Sequence, residues 1–183
     1  MRPHKIRDYD HAAKKARGIA FTIDRNGEWY AHAAEIGQPG HIGRDSLVKL
    51  FAGAGEGIWA GRGLSIDDEG RYWVKTPYVS YEVEVEDLPF VIVDYKDEDG
   101  QLVFETQWGE KVALSADHPL RLSPTPDEKE GNLPEIEVRQ GLKARLSRAV
   151  THELIDRYGQ IDETSGTVSL KLGAQTYALG QIQ

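Results

Sequence analysis

Four cations crowd one short stretch of an acidic chain. Arg139, Lys143, Arg145 and Arg148 stand together in VRQGLKARLSR, while the whole sequence carries a net charge of −8. The chemistry such a cluster performs is anion recognition, because guanidinium and ammonium groups donate charge-assisted hydrogen bonds to phosphate or carboxylate. Leu142, Leu146, Val150 and Leu154 recur at intervals of four, which predicts a helix over 141–158. That helix would place the four cations at its start, where free backbone N–H groups also favour an anion. Arg44 precedes a second predicted helix, over 45–54, in the same way. The plainer reading is that these cations neutralise an acidic sheet or face water.

Other chemistries find less support in the residues. There are no cysteines, which excludes disulfides, thiolate nucleophiles and cysteine zinc sites. The histidines are His4, His11, His32, His41, His118 and His152, and no two have metal-pair spacing, so no metal site is expected. The run GAGEGIWAGRG offers Gly53, Gly55, Gly57, Gly61 and Gly63 to a phosphate. It follows a helix and precedes a strand, the reverse of a dinucleotide fingerprint, and it lacks a P-loop lysine. A flexible connector pinned to the core by Trp59 is the reading it favours. Asp117-His118-Pro119 would support acid–base work in a hydrolase, but adjacent residues of this kind ordinarily shape a turn. The acids at 67–69 and 97–99 lie beside Gly70 and Gly100 and read as hairpin tips, not calcium loops. No GxSxG elbow occurs. No catalytic residue and no cofactor are assigned.

The elements that would position these groups are mostly strands. Asn26-Gly27 lies between two alternating runs in IAFTIDRNGEWYAH, a strong hairpin signal. AEIGQPGHIG is a loop, and RDSLVKLFAGA is a short helix. Asp45 is its candidate N-cap, and Leu47, Leu50, Phe51 and Ala54 share a face. GLSIDDEGRYWVKT makes a second hairpin near 68–70. In YVSYEVEVE, Val79, Tyr81, Val83 and Val85 fall on one face and Glu82, Glu84 and Glu86 on the other, a half-buried strand with an acidic outer side. Residues 78–114 read as a meander of four strands. SPTPDEKEGNLP, 123–134, is a polar loop, and TVSLKLGAQTYALG is a last hairpin turning at Gly173-Ala174. Helix 45–54 with hairpin 64–76 repeats the element order of helix 141–158 with hairpin 166–179, which suggests duplication.

Composition bounds the partners. With 183 residues, 39% hydrophobic and 28% charged, the chain has room for one domain or two small lobes. No apolar run approaches the roughly 20 residues that span a bilayer. The basic N-terminus has no apolar core after it, so the expected location is cytoplasmic. Residues 1–17 hold six basic and two acidic side chains, a balance of +4, and residues 65–110 hold thirteen acidic and three basic, a balance of −10. An acidic middle argues against a nucleic acid polymer as partner. The basic first segment, helix-compatible over 8–17, reads as a solvated helix or a frayed end.

In order and spacing, GEWYAH, IGRDSLVKLF, GRYWVKTP, YEVEVEDLPFV, FETQWGE, ADHPLRL and EVRQGLKARLSRAVTHELI resemble a bacterial family known as domain of unknown function 1285. The resemblance implies an α+β fold of two lobes that look duplicated, the second superficially like a pleckstrin-homology domain. It implies no activity. It implies a cleft between lobes as a binding place, for a nucleotide-like ligand in signalling, with Arg44, Thr76, Pro77, Asp87, Arg139 and Arg148 at the matching positions. The sequence departs from the family pattern in longer loops, 33–43 and 53–63, and in Thr151-His152 where a pair of aromatics is expected.

The expectation is therefore an α+β chain of a basic segment (1–18), a first lobe (19–76) and a second lobe (77–183). The expected function is regulatory or sensory, through a small anionic ligand bound between the lobes by Arg44, Thr76, Arg139, Lys143 and Arg148. The alternative is a protein-interaction module anchored by Tyr78 or Trp108. An Asp117/His118 hydrolase is a third reading.

Overall fold

The computed structural model describes residues 6–33, 37–53 and 62–181. Ala54, Gly55, Gly57, Trp59 and Gly61, all named above, lie outside them. The chain divides into two compact units, Met1–Glu86 and Asp87–Gln183.

The first unit carries α1 (His11–Ala16), β1 (Ile19–Ile23), β2 (Trp29–Ala31), β3 (Gly40–His41), α2 (Asp45–Phe51), β4 (Gly63–Ile66), β5 (Tyr72–Lys75) and β6 (Ser80–Val85). Its sheet runs β3-β2-β1-β6-β5-β4. The β1–β2 hairpin turns at Asn26-Gly27 as expected, with Gly27 at positive φ and Asp24 accepting from the N–H groups of Asn26 and Glu28. Strand register sorts the side chains. Phe21 pairs with Val83 and Ala31, Ile23 with Val85 and Trp29, and Leu64 with Val74, so one face is apolar. On the β1 side of that face, the rings of Phe21 and Trp29 meet Phe51 of α2. Thr22 pairs with Tyr30 and Glu84, so the opposite face is polar.

Two expectations about α2 change. Its N-cap is Arg44, which makes no side-chain cap bond, and Asp45 lies in the first turn. Val48 and Phe51 are the buried pair of the helix, while Leu47 and Leu50 are only half-buried. Just past the connector, Gly63 has φ +99, and a Cβ there would lie 2.6 Å from Gly53 Cα. Only glycine allows that backbone approach.

The second unit carries β7 (Phe90–Glu98), β8 (Gln101–Thr106), β9 (Lys111–Ala113), β10 (Leu120–Pro124), β11 (Asn132–Arg139), β12 (Leu142–Leu146), α3 (Arg148–Tyr158), β13 (Gly159–Asp162), β14 (Thr167–Leu172) and β15 (Gln175–Gln181). Its main sheet runs β10-β11-β12-β7-β8-β9, and β13-β14-β15 forms a small second one. The expected four-strand meander over 78–114 is split, because β6 pairs with β1 and β5 in the first unit while β7 opens the second sheet.

The predicted helix over 141–158 is also corrected. Residues 142–146 are a central strand, paired with β11 and β7, and only residues 148–158 are helical. An interval of four satisfies a strand as well as a helix, since it is even. Leu142, Ala144 and Leu146 thus line one side of β12. Gln140 and Gly141, at φ 47 and 79, form the tight turn that reverses the chain before it. Ser147 then caps α3 by accepting from Val150 N–H.

The fold is mixed α+β, and its two large sheets trace the same path. In each, two antiparallel three-strand runs are joined by a central parallel pair, β1 with β6 and β7 with β12. The repeat therefore lies in the sheets, β1–β6 against β7–β12, not in the helix-and-hairpin pairing read from the sequence.

Candidate functional site

The predicted anion ligands of the second unit do not gather at a helix start. Arg139 ends β11, Lys143 and Arg145 lie on β12, and Arg148 opens α3. Each meets a carboxylate. Arg139 Nε lies 2.8 Å from Glu110, Lys143 Nζ 2.6 Å from Glu135, and Arg148 2.5 Å from Glu130. Arg139 also stacks over Phe90, 5.6 Å from its ring centre.

Arg145 is buried, and its guanidinium is fully engaged. Nε and Nη2 make a two-pronged contact with Asp87 at 2.9 and 2.7 Å. Nη1 donates to Ser123 Oγ and the Leu133 carbonyl, and Nη2 also reaches the Pro124 carbonyl. Burial alone would raise the neighbouring Glu135 carboxyl, but bonds from Lys143 and Ser123 outweigh it and hold the group below the usual range. This cluster stitches β10, β11 and β12 to the start of the unit. Asp87, which the resemblance placed in a binding role, is its counter-ion.

In the first unit, Arg44 is exposed and has no side-chain partner among the described residues. Thr76 shapes the turn between β5 and β6. Its hydroxyl donates to the Val79 carbonyl at 2.8 Å and accepts from Tyr78 and Val79 N–H. That turn presents Tyr78 at 94% exposure, with Val79 beside it at 46%. Trp108, the other expected anchor, is half-buried, and its indole nitrogen is sealed from solvent without a hydrogen-bond partner among the described residues. His118 is tied by its ring to the Glu137 carbonyl and by its N–H to Ser115, while Asp117 is exposed. Those contacts hold a turn.

A network the sequence reading missed lies on the polar face of the first sheet. The basic segment before β1 is neither frayed nor free over residues 6–17. Arg7 bonds Glu86 at 2.6 Å, Tyr9 donates to the same carboxylate at 2.6 Å, and Lys14 and Arg17 both reach Glu84. The acidic side of β6 and the residue after it are what Arg7, Lys14 and Arg17 bind. Tyr9 packs edge-on against Tyr30, and Arg7 N–H donates to the Tyr30 hydroxyl. Beside them, His11 Nδ1 meets His32 Nδ1 at 2.8 Å, and His32 Nε2 meets Thr22 Oγ1 at 2.7 Å. His32 is 2% exposed. Burial, then the nearby His11 and Lys14, lower its pKa to about 4. Burial likewise raises Asp24, against its two backbone N–H bonds. The available signal was charge complementarity, a basic first segment and an acidic strand 70 residues later, as in Lys14 and Glu84.

Among the described residues, no group of three His, Cys, Asp or Glu could hold a metal ion, and no helix is long and apolar enough to cross a membrane.

The comparisons with known proteins agree on one family. Residues 89–179 match the family described as protein of unknown function (DUF1285), C-terminal domain. A DUF1285 family protein from Silicibacter pomeroyi DSS-3 is similar in structure, with a TM-score of 0.68 at 27% identity, over 89% of this chain and 80% of that one. The chain belongs to the DUF1285 family. A second DUF1285 protein, from Shewanella baltica OS155, shares the fold at a TM-score of 0.54 and 23% identity, over 76% of this chain and 93% of that one. No curated protein matches. None of these descriptions names an activity.

Proposed function

We propose that this DUF1285 chain is a non-catalytic regulatory module that docks a protein partner. The observation that carries the reading is Tyr78, 94% exposed on a turn fixed by three bonds from one threonine side chain. Tyrosine on a preorganised turn loses little entropy on binding and supplies both apolar area and a hydroxyl. The candidate catalytic groups favour the same side. His118 holds a turn, and His32 is closed off behind Thr22 and His11.

The second reading is a small anionic ligand. Arg44 favours it, as a cation with no side-chain partner among the described residues. Arg139, Lys143 and Arg148 would serve an anion only by exchanging the carboxylates they now hold.

One paired experiment separates the two. Tyr78→Ala and Arg44→Ala are compared with the unaltered chain for stoichiometric capture of a cellular protein and for thermal shift against nucleotides and inorganic anions. A partner lost with Tyr78→Ala and kept with Arg44→Ala supports docking. A selective shift of melting temperature that disappears in Arg44→Ala overturns it in favour of the anion, since a ligand at about 100 times its Kd adds roughly 2.7 kcal/mol.

A further inference from the structure

We propose that residues 6–17 form a releasable strap, latched to the polar face of the first sheet by the His11–His32 contact and opened by proton uptake. This is independent of the Tyr78 reading.

The geometry of the latch limits its protons. His11 Nδ1 and His32 Nδ1 stand 2.8 Å apart, so one must carry the hydrogen and the other must offer a lone pair. Thr22 accepts or donates at His32 Nε2 and so tolerates either tautomer. The pair therefore holds one proton beyond neutrality and no more. A second would set two N–H groups against each other, and the strap would have to leave.

The groups around the latch set its direction. Lys14, on the strap, opposes a charge on His32. Glu84, on β6, favours one, but it is already held by Lys14 and Arg17. The Tyr9 ring stands edge-on to His32, its centre 5.7 Å away. Arg7, Glu86 and Asp24 form the far end of the network. A buried imidazole beside a second imidazole and an ammonium resists protonation while the strap is down, and regains ordinary basicity once it lifts.

The strap's other contacts are Arg7 and Tyr9 on Glu86, Lys14 and Arg17 on Glu84, and Arg7 N–H on the Tyr30 hydroxyl. None of the residues of α1 is buried; of the strap's ion pairs, Arg17–Glu84 is well exposed, the kind that contributes least, while Lys14–Glu84 is more enclosed. Gly18, at φ +79 with open space around it, is the hinge between α1 and β1. Lifting the strap bares Tyr30, His32 and the Glu84–Glu86 edge while leaving the sheet pairing intact.

The test uses the absence of cysteine. Ala12→Cys, exposed on α1, takes a single nitroxide label whose mobility is read by electron paramagnetic resonance at about pH 8 and about pH 5. Ser80→Cys, exposed on β6, is the control position. The expected result is an immobilised label at position 12 at high pH, a several-fold larger mobile fraction at low pH, and no change at position 80. His32→Gln should remove most of that response. Where His32→Gln does not fold, His11→Gln, on the half-buried side of the contact, replaces it. The proposal is overturned by a label equally mobile at both pH values, by parallel loosening at position 80, or by an undiminished response in the glutamine variant.

Discussion

The Arg145 guanidinium is 7% exposed and the Asp87 carboxylate 9% exposed, so neither charge has water to replace the other. Buried pairs of this kind add little over an apolar pair, yet removing one member strands the other. Arg145→Ala is expected to destabilise the second unit by about 3–5 kcal/mol, read as a lowered urea midpoint. Arg148→Ala removes a cation that is 64% exposed, and its ion pair with Glu130 is expected to cost less than about 1 kcal/mol. Equal effects from the two would contradict this ranking. The sequence reading grouped all four cations as one cluster and took Arg139, Lys143 and Arg148 from it as ligands. What separates them is cover: on the face of β12 opposite Ala144 and Leu146, Arg145 is enclosed by Asp87, Ser123, Pro124 and Leu133, whereas Lys143 and Arg148 reach toward solvent. One misjudged element thus hid the structural role of Arg145 inside a cluster of cations.

Elements were legible where a turn residue announced them. Asn26-Gly27 fixed the first hairpin and Gly173-Ala174 the last, with β14 and β15 pairing across it. The error at 141–158 came from a spacing that both periodicities satisfy, with Gln140-Gly141 overlooked as a turn. Helix α3 begins at its cap. Ser147→Ala removes the acceptor for Val150 N–H, and about 1 kcal/mol of loss is expected. That loss should fall to a few tenths in Ser147→Gly, by chemical denaturation of each variant. In the first unit, Gly63→Ala, a change that stabilises a compatible site by about 0.4–1 kcal/mol, is expected to destabilise by more than that amount. Its Cβ meets the backbone of Gly53 instead of a flexible side chain. A neutral Gly63→Ala would mean that the backbone at Gly53 yields freely.

At the scale of the whole chain, the two sheets share a topology but answer acid differently. Duplication was legible only as a hint, because the repeat lies in strand order, which no local pattern encodes. Long-range charge pairing was equally hidden, since Lys14 and Glu84 meet only through the parallel pairing of β1 with β6. In the first unit, His32 has its pKa lowered to about 4 from the ordinary histidine value of 6.5. Above 6.5 it is neutral in both folded and unfolded chains, and its neutral state contributes in full. As pH falls from 6.5 toward 4, the unfolded chain binds a proton that the fold refuses while the strap is down. Stability then drops by up to about 1.4 kcal/mol per pH unit. In the second unit, Glu135 is held below the carboxylate range, so its contribution is present above the ordinary glutamate pKa and is lost only as pH falls through the lower folded value. Amides of β1 should therefore lose protection against hydrogen exchange, after correction for intrinsic rates, between about pH 6.5 and 4. Those of β12 should keep theirs until carboxylates titrate. In His32→Gln the first decline should flatten, and the same slope in both sheets would show that His32 does not govern the acid response.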